Sequence, residues 1–160
     1  MKKLLVFLIV TCVCNSLNAQ NFNVGVSAGL PSGDFSDAYS FSAHLDASYL
    51  WEVSDGFTVG GASGLLYSFG DTVGSVEFED LGYIPLTSAA RYSVSDDFVF
   101  GADVGYGIAI APSGADSGFY YSPRAQYYLS EAASVLAAYR SVSVTGGSVN
   151  FLTLGVEFKL

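Results

Sequence analysis

Apolar and polar residues alternate along most of this chain, and the alternation is clearest at its end. Every second position from 154 onwards is apolar, namely Leu154, Val156, Phe158 and Leu160. The positions between them hold Thr153, Gly155, Glu157 and Lys159. A period of two predicts a β-strand with one apolar and one polar face. Because an unpaired apolar strand at a chain end would aggregate, this pattern favours a closed barrel in which the last strand pairs with the first.

Eight segments share this alternation and are separated by turn residues. They are Phe22–Leu30, Tyr39–Trp51, Phe57–Phe69, Leu81–Val94, Phe98–Ile110, Phe119–Leu129, Ser134–Val144 and Val149–Leu160. Each is long enough for a tilted strand to cross a bilayer, which takes about 9–11 residues. We therefore predict an all-β fold, an eight-stranded antiparallel up-and-down transmembrane β-barrel. The facing of the seventh segment stays open, because Arg140 shares one face with Leu136 and Val142.

The connections alternate as well, with short ones after the second, fourth and sixth segments and longer, acidic ones after the first, third and fifth. Aromatic residues lie near both predicted ends of the barrel. At the end with the short connections they are Trp51, Phe57, Tyr92, Phe98 and Tyr127. Aromatic girdles mark the two interfaces of a membrane barrel, whose short turns are periplasmic. We therefore predict extracellular loops and periplasmic termini.

The first residues predict a secretory signal peptide that is not part of the barrel. Two lysines precede an apolar run from Leu4 to Val10, and small or polar residues lead to Ala19. We predict a signal peptide over 1–19 and a barrel domain over 20–160. Lipid attachment at Cys12 is the alternative interpretation. Both cysteines lie in the leader, which excludes disulfides, thiol catalysis and cysteine-based metal sites from the mature chain.

The mature chain is strongly acidic. Four cations, Arg91, Arg124, Arg140 and Lys159, stand against fifteen acids, so the net charge is 4 − 15 = −11. This charge disfavours nucleic acid as a partner. All four cations lie inside strand-like segments, whereas most acids lie in the connections. This segregation predicts that the cations serve inside the barrel.

If the apolar face meets lipid, the polar face lines a lumen that eight strands leave just wide enough for side chains. Buried charges must be paired, so we predict an internal network of polar side chains. Its members are His44, Asp46, Arg91, Asp103, Arg124, Gln126, Glu157 and Lys159, with Tyr83 on the same face. Three acids face three cations in this set.

The sequence predicts no catalytic, metal or cofactor site. His44 and Asp46 lie two residues apart on one face, as members of a serine-type triad could, but no G-x-S-x-G elbow is present. The acidic stretch from Glu77 to Asp80 lies near Asp71, yet it lacks the D-x-[DN]-x-[DN]-G pattern of a calcium loop. We interpret this stretch as a solvated acidic surface and the protein as a non-enzyme.

The last strand also carries a specific motif, Thr153-x-Gly155-x-x-Phe158-x-Leu160. It is similar to the C-terminal insertion signal of outer-membrane proteins, in which Gly155, Phe158 and Leu160 are the matching positions. The whole mature chain resembles the small eight-stranded outer-membrane β-barrels of the OmpA-like and porin-like class. Asn18-Ala19-Gln20 resembles the signal ends of Bacteroidetes. The resemblance implies an outer-membrane monomer whose partners are lipid, lipopolysaccharide and, during insertion, the barrel-assembly machinery.

Three functions are compatible with these observations. The leading interpretation is a small integral outer-membrane barrel with a structural or surface-interaction role and a lumen filled by side chains. A narrow porin-like channel for small solutes is the first alternative. A secreted lipocalin-like barrel that binds an apolar ligand is the second, although such a barrel would have the reverse polarity.

Overall fold

The structure is a computed structural model that describes residues 22–33 and 36–160. Its strands are β1 (Phe22–Ser32), β2 (Tyr39–Ser54), β3 (Phe57–Gly70), β4 (Thr72–Val73), β5 (Val76–Glu77), β6 (Leu81–Ser93), β7 (Phe98–Ala111), β8 (Gly118–Ser130), β9 (Ala133–Val144) and β10 (Gly147–Lys159). A short 3-10 helix, Ser36–Ala38, precedes β2. The predicted signal peptide and Cys12 lie outside the described residues. Within those residues, no helix has the length and apolar character needed to span a bilayer.

The eight long strands close into one barrel with the order β1-β10-β9-β8-β7-β6-β3-β2. Every neighbouring pair is antiparallel. Closure depends on β1, which pairs with β2 on one side and with β10 on the other, so that Val26 lies opposite both Leu45 and Val156. The amide of Leu160 donates a 2.9 Å hydrogen bond to the carbonyl of Phe22 and extends this seam. The predicted eight-stranded antiparallel up-and-down β-barrel is confirmed.

The two ends of the barrel differ in their connections. At the turn side, the connections are the short segments 55–56, 94–97 and 131–132. At the loop side, they are 33–38, 71–80, 112–117 and 145–146. The segment 71–80 contains the separate hairpin β4–β5, with Gly74 at a φ of 65° in its turn. The sequence did not predict this hairpin, because strands of two residues are too short to show a period.

The two faces of the barrel wall have opposite polarity. On β1, Asn23 and Ser27 are buried in the lumen, whereas Val24 and Val26 are exposed on the outside. The register of β9 is now defined, because Arg140 is buried in the lumen with Leu136 and Val142 on the same face. A water-soluble barrel has the reverse arrangement, with apolar residues inside.

An apolar cluster fills the loop-side half of the lumen. Its members are Leu66, Leu81, Tyr83, Tyr120, Val142, Val149 and Phe151. Tyr83, predicted to face inward, donates a 3.1 Å hydrogen bond from its hydroxyl to the carbonyl of Asp116, in the β7–β8 loop. The lumen was predicted to hold a network of polar side chains with Tyr83 on the same face, so an apolar plug of this size was not predicted.

Candidate functional site

A chain of ion pairs crosses the turn-side half of the lumen. Arg124 lies at its centre, with Nη1 3.3 Å from the carboxylate of Asp103 and Nη2 2.6 Å from that of Glu157. Arg91 pairs with the other oxygen of Asp103 at 2.7 Å. Gln126 extends the chain, because its amide nitrogen donates to Glu157 at 2.7 Å. Five side chains from β6, β7, β8 and β10 thus form one polar layer.

A second ion pair lies nearer the loop side. The guanidinium of Arg140 donates two hydrogen bonds to the carboxylate of Asp46, both at 2.7 Å. Its remaining donors reach Ser27 at 3.2 Å and Thr153 at 3.3 Å. The hydroxyl of Tyr120 accepts a further bond at 3.4 Å and connects the pair to the apolar plug. This arrangement is a bidentate, charge-assisted pair, the strongest kind available to an arginine.

Two residues of the predicted network differ in placement from the rest. Lys159 is exposed at the turn-side rim and forms no ion pair within residues 22–33 and 36–160. It is the last residue of β10 and lies opposite Asn23, beyond the polar layer. Its predicted place as the third internal cation is taken by Arg140. The interior therefore holds three acids and three arginines.

His44 is the other exception, because it lies inside the lumen without joining an ion pair. Its Nε2 atom lies 2.8 Å from the hydroxyl of Ser42, and its ring packs edge-on against Phe151. A serine and a histidine are two members of a serine-type catalytic triad, whose third member is a carboxylate bound to the histidine. Here the carboxylate of Asp46 is bound by Arg140 instead. Ser42 and His44 are both at most 1 % exposed, so the pair is enclosed in the barrel interior.

Glycines make room for the arginines of the polar layer. Gly101 lies opposite Arg91 on β6 and opposite Arg124 on β8. A Cβ atom at this position would overlap the Cδ atom of Arg91 and lie 2.6 Å from the carbonyl oxygen of Ala90. A larger residue at 101 would therefore displace the Arg91 side chain and press on the backbone of β6.

The residues predicted for the girdle lie on the outside at the turn side, whereas those of the insertion motif are divided between the two faces of β10. Tyr92 pairs with Phe57, and the rings of Phe98 and Tyr127 lie 6.3 Å apart. Trp51 is about half exposed. In the motif, Phe158 and Leu160 are exposed, whereas Gly155 faces Ser27 so closely that a Cβ atom would overlap it. The role of these residues in insertion stays a prediction.

The β4–β5 hairpin is attached to the loop-side rim through Asp80. One carboxylate oxygen accepts from the Gly70 amide at 3.0 Å and the other from the Tyr67 hydroxyl at 2.8 Å. These bonds hold the pKa of Asp80 below its ordinary value of 3.8, so the attachment persists at neutral pH and weakens only as the pH falls through that lowered pKa. Throughout residues 22–33 and 36–160, this segment included, no group of three or more His, Cys, Asp or Glu side chains could hold a metal ion.

Comparison with known proteins identifies the fold. No protein-family model matches the sequence, and no curated protein matches it. Among solved structures, Neisserial surface protein A aligns with a TM-score of 0.60 at 18% identity over 87% of this chain and 97% of its own. Ail, the attachment invasion locus protein of Yersinia pestis, aligns with a TM-score of 0.59 at 15% identity over 86% of this chain and 95% of its own. A de novo designed transmembrane β-barrel aligns at 0.59 and 13% identity over 88% and 96%.

In fold, the chain resembles the eight-stranded outer-membrane barrels. At this level of identity the likeness extends to the architecture alone. The alignments cover nearly the whole length of each of those proteins, so the chain contains a complete barrel of this type.

We expect Asp46→Asn to destabilise the barrel by about 3–5 kcal/mol, because it leaves the Arg140 guanidinium buried without a charged partner. The double variant Asp46→Asn/Arg140→Gln should lose less than the sum of the two single variants. Urea unfolding of the protein in detergent micelles, followed by tryptophan fluorescence, measures these differences. Glu52→Gln, at an exposed position of the same strand, is the matched control and should change the free energy of unfolding by less than about 0.5 kcal/mol. Equal losses from Asp46→Asn and Glu52→Gln would contradict the proposed importance of the pair.

We expect Gly101→Ala to cost about 1–3 kcal/mol, because the added methyl group collides with Arg91 and the wall behind it. Gly61→Ala is the control, since Gly61 faces outward in β3 and its added Cβ atom would have no neighbour closer than 4.0 Å. It should not destabilise the protein. The same unfolding experiment compares the two variants, and a similar loss from both would show that strand glycines matter for another reason.

Proposed function

We propose that the protein is a small integral outer-membrane β-barrel with a structural or surface-interaction role, its lumen filled by its own side chains. The observation that carries the proposal is the polarity of the wall, which is apolar outside and charged inside. Leu30, Leu129 and Leu154 are each about two-thirds exposed on the outer face. In water such a surface is unfavourable by about 25 cal/mol for each Å² of apolar area, whereas a bilayer covers it. The same polarity argues against a lipocalin-like ligand binder.

The orientation follows from the connections. Outer-membrane barrels have short periplasmic turns and longer extracellular loops. We therefore assign the turn side to the periplasm and the loop side to the cell exterior, with outer-membrane lipid and lipopolysaccharide around a monomer. Insertion by the barrel-assembly machinery belongs to the same proposal. Membership of the OmpA-like and porin-like class and an origin in Bacteroidetes remain predictions from the residues quoted above.

A closed lumen favours the structural role over the channel. Four large side chains of the apolar plug, Leu66, Tyr83, Tyr120 and Phe151, are at most 2 % exposed. Below them the polar layer occupies the lumen with paired charges, leaving a recess of about 210 Å³ open at the turn-side rim. A solute crossing the barrel would have to displace both layers. The sealed position of Ser42 and His44 argues in the same way against catalysis.

Single cysteines test the location and the orientation, since the mature chain has none of its own. We expect Ser75→Cys, in the β4–β5 turn, to react with a membrane-impermeant maleimide in intact cells. Asp55→Cys, in the β2–β3 turn, should react only after the outer membrane is permeabilised. Cell fractionation should recover both variants in the outer membrane. The reverse labelling would invert the orientation, and recovery in the soluble fraction would end the membrane proposal.

Planar-bilayer recording tests the closed lumen. The purified protein should give no steady single-channel steps, while a general porin inserted in the same way does. The same preparation should show the heat-modifiable gel shift of a folded barrel, so that an absence of conductance steps cannot be attributed to unfolded protein. Steady steps from the folded protein would favour the narrow channel instead.

A further inference from the structure

Three exposed apolar side chains have no bilayer to cover them. Nearly all other large exposed apolar residues lie in the eight barrel strands or directly at their ends. Val73, Val76 and Phe78 lie instead in the hairpin segment of the loop side, with Val73 45 % and Val76 55 % exposed. In the proposed orientation of the barrel, this segment faces the aqueous medium outside the cell. Exposed apolar groups in water, held at a defined position, indicate an interaction surface.

The hairpin is a two-stranded ribbon, and within the described residues neither of its outer edges pairs with a further strand. Its only ladder pairs are Thr72 with Glu77 and Val73 with Val76. Its base is fixed by the Asp80 contacts and by the Asp71 amide, which donates to the Ala38 carbonyl at 3.0 Å. Two-stranded ribbons are marginal by themselves and gain stability from a third strand. The open edges supply the backbone groups with which an added strand would pair.

The ribbon has two chemically different faces. Directly paired residues share a face, so Val73 and Val76 form an apolar face while Glu77 lies on the other beside Thr72. The carboxylates of Glu77 and Glu79 form no hydrogen bond or ion pair within the described residues. The segment 71–80 holds four acids and no cation, and the three arginines of the mature chain are buried in the lumen. The negative charge of this rim is therefore not balanced by the protein itself.

We propose that the β4–β5 ribbon accepts an extended segment of another polypeptide as an added strand, and that this segment alternates apolar and cationic side chains. Backbone pairing would occur along an open edge of the ribbon. Alternate side chains of the added strand then reach opposite faces, apolar ones beside Val73 and Val76 and cationic ones beside Glu77 and Glu79. The inference deepens the proposed surface-interaction role and rests on it.

A fluorescent peptide of four Lys-Val repeats, with blocked ends, is the probe. We expect it to bind the protein in nanodiscs of phosphatidylcholine, whose headgroups carry no net charge, as measured by fluorescence anisotropy. The double variant Val73→Ser/Val76→Ser should weaken binding by about tenfold, the equivalent of 1.4 kcal/mol. Glu77→Gln/Glu79→Gln should weaken it by about threefold or more at low salt, with a smaller difference at high salt. A peptide of four Glu-Val repeats should not bind.

The matched control is Asp96→Asn/Asp97→Asn, which removes two exposed acids from the turn side and should leave binding unchanged. An equal loss in this control, or equally tight binding of octalysine, would show that charge alone attracts the probe and would overturn the proposal. Unchanged binding by the valine variant would do the same. The heat-modifiable gel shift of each nanodisc sample reports the barrel independently. Failure of peptide binding is therefore distinguishable from failure of the membrane proposal.

Discussion

Three arginine side chains lie inside this barrel, and an arginine does not lose its charge to relieve burial. Each must therefore keep a carboxylate partner, and the structure depends on how these partners are arranged. One chain of ion pairs joins β6, β7, β8 and β10 through Arg91, Asp103, Arg124 and Glu157. The Arg140–Asp46 pair joins β9 to β2, which are not neighbours in the wall. Hydrogen bonds of the sheet hold adjacent strands, whereas the Arg124–Glu157 and Arg140–Asp46 pairs also connect strands that are not neighbours in the wall.

The interior is consequently filled by two layers of different chemistry. The turn-side half holds paired charges, with Gly101 providing the space, and the loop-side half holds the apolar plug. Tyr120 belongs to both, since its ring packs in the plug and its hydroxyl accepts from Arg140. Side chains of the barrel strands fill the lumen, and from the β7–β8 loop Ala115 packs against the plug. The β4–β5 ribbon is attached to the rim by the hydrogen bonds of Asp71 and Asp80.

Alternation in the sequence was sufficient to predict the strands and the residues of the outer face, because a lipid-facing surface must be apolar along its whole height. The ends of the strands were predicted less accurately than their existence. For example, β2 extends to Ser54, past the predicted end at Trp51. The inner face was harder, because it is polar at one height and apolar at another. Phe151 shares its face with Thr153 and Glu157, so the plug was visible as an apolar residue on the polar face. To predict that Arg140 and not Lys159 is the third internal cation, one must know the height of each cation along the barrel axis. Strand register determines that height, whereas the period of two does not.

The pairing inside also explains the charge outside. Among the described residues, the acids beyond the network are all exposed, namely Asp37, Glu52, Asp55, Asp71, Glu77, Glu79, Asp80, Asp96, Asp97, Asp116 and Glu131. Within residues 22–33 and 36–160, Lys159 is the one exposed cation that could balance them, and it lies at the turn side. The arginines that could have neutralised the loops are required in the lumen. Both rims are therefore anionic, which disfavours contact with phosphate-rich surfaces and favours a cationic partner. The exposed valines of the β4–β5 ribbon define where on the loop-side rim such a partner would bind.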